Sequence, residues 1–262
     1  MLLASATVVL LACALGLLAQ TAVLAGSMQD ALTPESLGGV LGMGIGRSSM
    51  FRGALAGVLV MALPVIGSRR GAWILAGAGG ALICGSFAWM GHGAATEGAL
   101  GLLHLSSDIV HTLAAGVWIG ALVALLILAA AASREPPQRQ RQLHRALQGF
   151  SGIGSAVVAV IVATGLVNSW FVIGLRGLPH LWTTAYGQLL TLKLLLFIAM
   201  LGLAAANRFR LSPRFGAALE GRSPTRAAIS ALRTSLAMET GISMTVLALV
   251  AWFGTLAPPS VS

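Results

Sequence analysis

Seven stretches of this chain run apolar: roughly 2–25, 50–67, 71–90, 106–132, 149–175, 187–206 and 235–256. A helix needs about 20 such residues to cross the hydrocarbon core of a bilayer. Seven of them in 262 residues leave no room for an appended soluble domain. Only 9% of the chain is charged, against roughly 25% in a soluble domain, and the mean hydropathy is +0.90. The fold class that follows is all-α: a polytopic transmembrane helix bundle of about seven spans forming a single domain over 1–262. The first run has no basic residues before it and is too long for the apolar region of a signal peptide, so it counts as a retained span.

The net charge of +9 suggests a nucleic-acid partner only until the basic residues are placed. Arg69 and Arg70 follow the second run, and Arg134, Arg139, Arg141 and Arg145 follow the fourth. Arg208, Arg210, Arg214, Arg222, Arg226 and Arg233 follow the sixth. The alternate loops hold only Arg47, Arg52 and Arg176. By the positive-inside rule this is a topology signal, with the N-terminus cytoplasmic, the C-terminus extracytoplasmic, and the lipid bilayer rather than nucleic acid as partner. Cys13 and Cys84 lie in apolar runs without CxxC spacing and point to no redox chemistry.

Against that background the segment "HLSSDIVHTLAAGVWIG", from position 104, is unexpected. His104, Asp108 and His111 stand at i, i+4 and i+7, which places them on one face of a helix within about 60°. Two imidazoles and a carboxylate suit a transition metal such as copper, zinc, iron or nickel. His92, at the outer end of the preceding run, adds a fourth candidate ligand, and Met90 beside it would favour Cu(I). Ser-Ser-Asp before an apolar run is also a helix N-cap signature. If the helix starts there, His104 falls in a loop and Asp108 serves the first turn, so both readings stand at this level.

Other polar residues lie at membrane depth, where ionisable groups mark functional sites by default. Lys193 sits inside the sixth run, Glu239 near the start of the seventh, and Asn168 in the fifth. Together they outline a possible polar track. Lys193 could equally snorkel to an interface, and Glu239 could pair with Arg233 or another arginine. No catalytic set is evident, and no enzymatic activity is expected.

The motifs "GHGAA", "DIVHTLAAGVWIGAL", "FSGIGSAVVAVIVATGLVNSW", "TTAYGQLLTLKLLLF" and "NRFRLSP" resemble, in that order, the copper-resistance protein D family of bacterial inner-membrane proteins. The likeness is clearest over about 85–215. It implies a multi-pass protein of the bacterial inner membrane that handles copper ion, in either oxidation state, and carries it from periplasm to cytoplasm in copper homeostasis and resistance. It also implies a periplasmic copper-binding partner of the CopC type. The first run here looks like the second span of a usually eight-span family. Carried over by motif, His92, Asp108 and His111 become the metal site, with His104 as a further ligand or entry residue, and Tyr186, Gly187 and Lys193 match the family's "YG…K" pattern. Two alternatives accompany this reading: a b-haem redox protein of the membrane, and a metal-binding assembly or sensing partner that does not transport.

Overall fold

The computed structural model describes residues 2–90, 98–132, 137–174, 178–221 and 225–253, and every regular element among them is helical. The elements are α1 (Leu2–Ala25), α2 (Pro34–Gly42), α3 (Gly44–Ala62), α4 (Arg69–Gly85), α5 (Gly98–Ala132), α6 (Pro137–Ile173), α7 (Ala185–Ala206), α8 (Ser212–Leu219) and α9 (Thr225–Phe253). A π turn over Asn207–Leu211 joins α7 to α8. Among the described residues, six stretches are long and apolar enough to cross a membrane: Leu2–Ala25, Arg69–Trp89, Leu100–Ala132, Pro137–Ile173, Ala185–Leu219 and Thr225–Trp252. Each matches one of the seven predicted runs. The remaining run corresponds to α3, whose 19 residues include Arg47 and Arg52, and these two charges keep its hydropathy below that of the six.

The chain divides into two compact units, 1–113 and 114–262. In the first, α3 packs against α1 and α4 around Ala6, Ala56, Leu59 and Ile83. Small residues permit the approach: a Cβ on Gly79 of α4 would come within 2.9 Å of a Leu59 methyl. Close packing of this kind replaces the hydrophobic drive that helices lose in lipid. Arg52 is buried here, 5% exposed. Its guanidinium lies 4.4 Å from the centre of the Phe87 ring and donates to the Ser48 and Ser49 hydroxyls at 3.4 and 3.3 Å.

In the second unit, Trp118, Leu122, Leu125 and Ala129 of α5 pack with Leu143 and Leu147 of α6, Phe215 of α8, and Leu232 and Leu236 of α9. α6 opens at Pro137, twelve residues before the predicted run at 149. Its 37 residues reach about 55 Å at 1.5 Å per residue, well beyond the hydrocarbon thickness of about 30 Å. The added turns are amphipathic: Leu143 and Leu147 are buried while Arg141 and Arg145 are exposed. His144 is half-buried in this helix, with its ring edge-on to Phe215 at 5.9 Å.

The start of α7 is set by a cap and a close approach. Thr184 accepts the Gly187 N–H at 3.2 Å, the side-chain bond that satisfies one of the first-turn donors. Gly187 lies so near the preceding 3₁₀ turn that a Cβ there would be 2.5 Å from the Leu181 Cα. Gly187→Ala therefore requires the Leu181 backbone to move. A loss of about 1–3 kcal/mol is expected, read as a lowered thermal unfolding midpoint in detergent. An unchanged midpoint would rule out this packing.

Candidate functional site

α5 begins at Gly98 rather than at the Ser-Ser-Asp sequence. That start decides between the two readings of the polar stripe. Asp108 lies more than two turns inside the helix, so it caps nothing, and His104, Asp108 and His111 occupy consecutive turns of one continuous helix. Their burial differs: His104 is 3% exposed, whereas Asp108 and His111 are half-buried. Ser107, beside them, is also buried.

One helix cannot close all three around one ion. Seven residues of α-helix rise about 10.5 Å, so neighbouring pairs (His104 with Asp108, Asp108 with His111) can share a metal, but the two imidazoles are too far apart along the axis. Among the described residues no group of three or more His, Cys, Asp or Glu side chains is placed to hold a metal. His92 lies outside the described residues. A metal at the stripe would therefore have two donors from α5 and complete its coordination from elsewhere.

The second unit holds a polar site centred on Glu239. This residue is 1% exposed and lies in the middle of α9, because the helix starts at Thr225 rather than near 235. Instead of an arginine, its partner is an amide: Asn207 Nδ2 donates to Glu239 Oε2 at 2.9 Å. Glu239 Oε1, Asn207 Oδ1 and the Trp118 indole N–H are all buried and have no hydrogen-bond partner. All three residues line one cavity of about 300 Å³, whose remaining wall includes Leu122, Leu201 and Arg208. Arg208 is exposed, and its guanidinium donates to the Ser151 carbonyl at 3.0 Å and to the Ser155 hydroxyl.

The π turn explains how Asn207 comes to face this cavity. Pro213 has no N–H to donate to the carbonyl four residues back. The Ser212 N–H bonds instead to the Asn207 carbonyl, five residues back. Such π-bulges recur at functional sites. Of the predicted polar track, Glu239 lines the cavity, while Asn168 on α6 and Lys193 on α7 are half-buried and do not. Asn207 and Trp118 were not expected in this role. The sequence signal for Asn207 was a polar residue ending a long apolar run, followed by a proline six positions on.

Asn207→Leu removes the only side-chain hydrogen-bond donor to the buried Glu239 carboxyl among the described residues. About 1–3 kcal/mol of stability should be lost, visible as a lower unfolding midpoint. The double variant Asn207→Leu/Glu239→Leu removes both partners and should recover part of that loss. If the double variant is as unstable as the sum of the two single variants, the pairing is not the origin of the effect.

The chain is similar to known proteins over much of its length. The family model described as copper resistance protein D matches residues 144–253, and that of the copper resistance protein D-like N-terminal domain matches residues 1–102. The chain is 43% identical to copper resistance protein D of Pseudomonas syringae pv. tomato over 68% of its own length and 57% of the relative's. It is 32% identical to inner membrane protein YebZ of Escherichia coli over 48% of its length and 42% of that protein's. It is 35% identical to copper transport protein CutJ of Bacillus subtilis over 46% of its length and 21% of that protein's. The chain thus spans a little over half of the first relative and less of the others. No solved structure matches it.

Proposed function

The chain belongs to the copper resistance protein D family, and from that premise we propose that it carries copper from periplasm to cytoplasm as a multi-pass protein of the bacterial inner membrane. It is a transporter and not an enzyme. The observation that carries this reading is the stripe His104, Asp108 and His111 on one continuous helix, at the end of α5 where basic residues are absent. From Gly71 to Ser133 the sequence has no Lys or Arg, so this stretch itself adds no positive charge beside the carboxylate and imidazoles. Imidazole and carboxylate together suit copper. His92 supplies a third donor in this proposal, with Asp108 shared between the neighbouring turns.

The orientation of the stripe follows from the arginines. The positive-inside rule puts the clusters at 134–145 and 208–233 in the cytoplasm, and hence the start of α5 outside. This holds whether α3 crosses the bilayer or not; only the side of the N-terminus changes, and a crossing α3 places it in the cytoplasm with the C-terminus outside. Copper reaches the stripe from the periplasm, handed over by a separate copper-binding protein of the CopC type. The names of the relatives, a copper resistance protein and a copper transport protein, support the same cargo.

A b-haem function is less well supported. Axial histidines approach a haem from opposite faces of the iron, whereas His104 and His111 project from a single helix. The absorption spectrum of the purified protein should accordingly lack a Soret band, and its presence would replace copper transport with redox chemistry. A metal-binding assembly or sensing role differs from transport in one measurable respect, flux. Proteoliposomes bearing the wild-type chain should accumulate copper, and His111→Ala should reduce the initial rate at least tenfold. Equal uptake by both would remove His111 from the path, and copper binding without uptake would leave the sensing role.

Topology is tested independently. Alkaline phosphatase fused after Gly98 should be active, and fused after Gly221 inactive. The reverse pattern would turn the protein over and place the stripe on the wrong side for periplasmic copper.

A further inference from the structure

The copper reading leaves the Glu239 cavity unused. A carboxylate in a membrane interior is costly unless it is paired with a cation or neutralised. Glu239 is fully enclosed, and its hydrogen-bond partner is the neutral amide of Asn207. The charged groups lining the cavity are Glu239 and Arg208, and the Arg208 guanidinium is turned to Ser151 and Ser155. α5 contributes Trp118 and α6 contributes Ser151 and Ser155, none of them ionisable in this range.

Counting donors and acceptors shows what the pair lacks. Asn207 Nδ2–H is donated to Glu239 Oε2. Besides the second amide N–H, one acceptor remains on each side chain, Glu239 Oε1 and Asn207 Oδ1, both buried and both without a donor among the described residues. A proton on Glu239 removes the buried charge and turns Oε1 from an unmet acceptor into an O–H donor. Once that proton leaves, two acceptors and a negative charge face a cavity of about 300 Å³, room for roughly ten waters at ~30 Å³ each. Waters there can donate to the two oxygens and accept from the Trp118 indole.

We propose that Glu239 and Asn207 form a proton-binding site at the closed end of this cavity, and that its loading and release couple proton movement to copper transport. The coupling rests on the transport reading above; the proton site does not. In the binding step the carboxylate takes one proton from cavity water to give the carboxylic acid. In the release step the O–H bond breaks, the proton returns to water and its electron pair stays on Oε1. No redox partner is involved. The cavity runs from exposed Arg208 to buried Glu239, which gives the proton a hydrated approach from the arginine-rich end.

The test is infrared difference spectroscopy of the full chain in lipid nanodiscs as pH is stepped. Wild type should show a carboxylic-acid C=O band that grows on acidification and shifts in D₂O. Glu239→Gln, monodisperse on size exclusion, should lose that band. Asn207→Leu should move it to higher frequency, because the carbonyl loses the amide hydrogen bond. Persistence of the full band in Glu239→Gln, or no frequency change in Asn207→Leu, would overturn the site.

Coupling is read separately, as copper uptake into proteoliposomes with and without an imposed pH gradient. Wild-type uptake should change several-fold with the gradient, and Glu239→Gln should be insensitive to it. Gradient-independent wild-type uptake overturns the coupling and leaves the site. Absence of any uptake overturns transport, while the infrared band still decides whether Glu239 binds a proton.

Discussion

The whole architecture depends on one requirement: backbone N–H and C=O groups in hydrocarbon must find partners within the protein. Long helices meet it along their length, and the places where the ladder is interrupted are the informative ones. Thr33, Ser68 and Thr184 each accept an N–H from the first turn of the helix they precede. At the end of α7 the solution differs. Pro213 removes a donor from what would be a continuous helix, and the ladder shifts register by one residue over Asn207–Leu211. A proline normally costs about 3 kcal/mol or more in a helix interior. Here the resulting π turn presents an amide to the only buried carboxyl among the described residues.

Two of the buried ionisable side chains, Arg52 and Glu239, show contrasting ways of tolerating polarity at depth. Arg52 lies over the Phe87 ring and bonds two hydroxyls from its own helix. A delocalised, weakly hydrated guanidinium accepts this arrangement. A carboxylate has no comparable option, since it needs donors and aromatic faces repel it. Glu239 has one donor, Asn207, for two oxygens. The difference identifies Arg52 as a structural device of the first unit and leaves Glu239 as the group whose protonation state matters.

Much of this fold was legible in the sequence because hydropathy acts over windows of about 20 residues and survives local detail. Six of the seven predicted runs are membrane-length helices, and the weakest prediction, the run containing Arg52, is the one that falls short. The boundaries were less legible. α5 starts at Gly98 and α6 at Pro137 because Leu102, Leu105, Leu143 and Leu147 extend the apolar face beyond the lipid-length window. For α5 this mattered to function, since a start at Ser106 would have separated His104 from the stripe. The partner of Glu239 was not legible at all. Asn207 is 32 residues away, and only the register shift caused by Pro213 brings it to face the carboxyl.

The charge distribution bears on both proposed sites. A chain with net charge +9 repels cations in general, so under the proposed copper reading it must confine its positive charge. It does so by concentrating arginine at one membrane face and leaving Gly71–Ser133 free of Lys and Arg. Asp108 and the imidazoles supply the ligand chemistry that a metal at the stripe would meet. Where the arginines cluster, the proposed proton approach to Glu239 passes exposed Arg208. The same asymmetry that orients the helices thus separates the two cations the protein would handle, metal at the unpositive end and proton at the basic one.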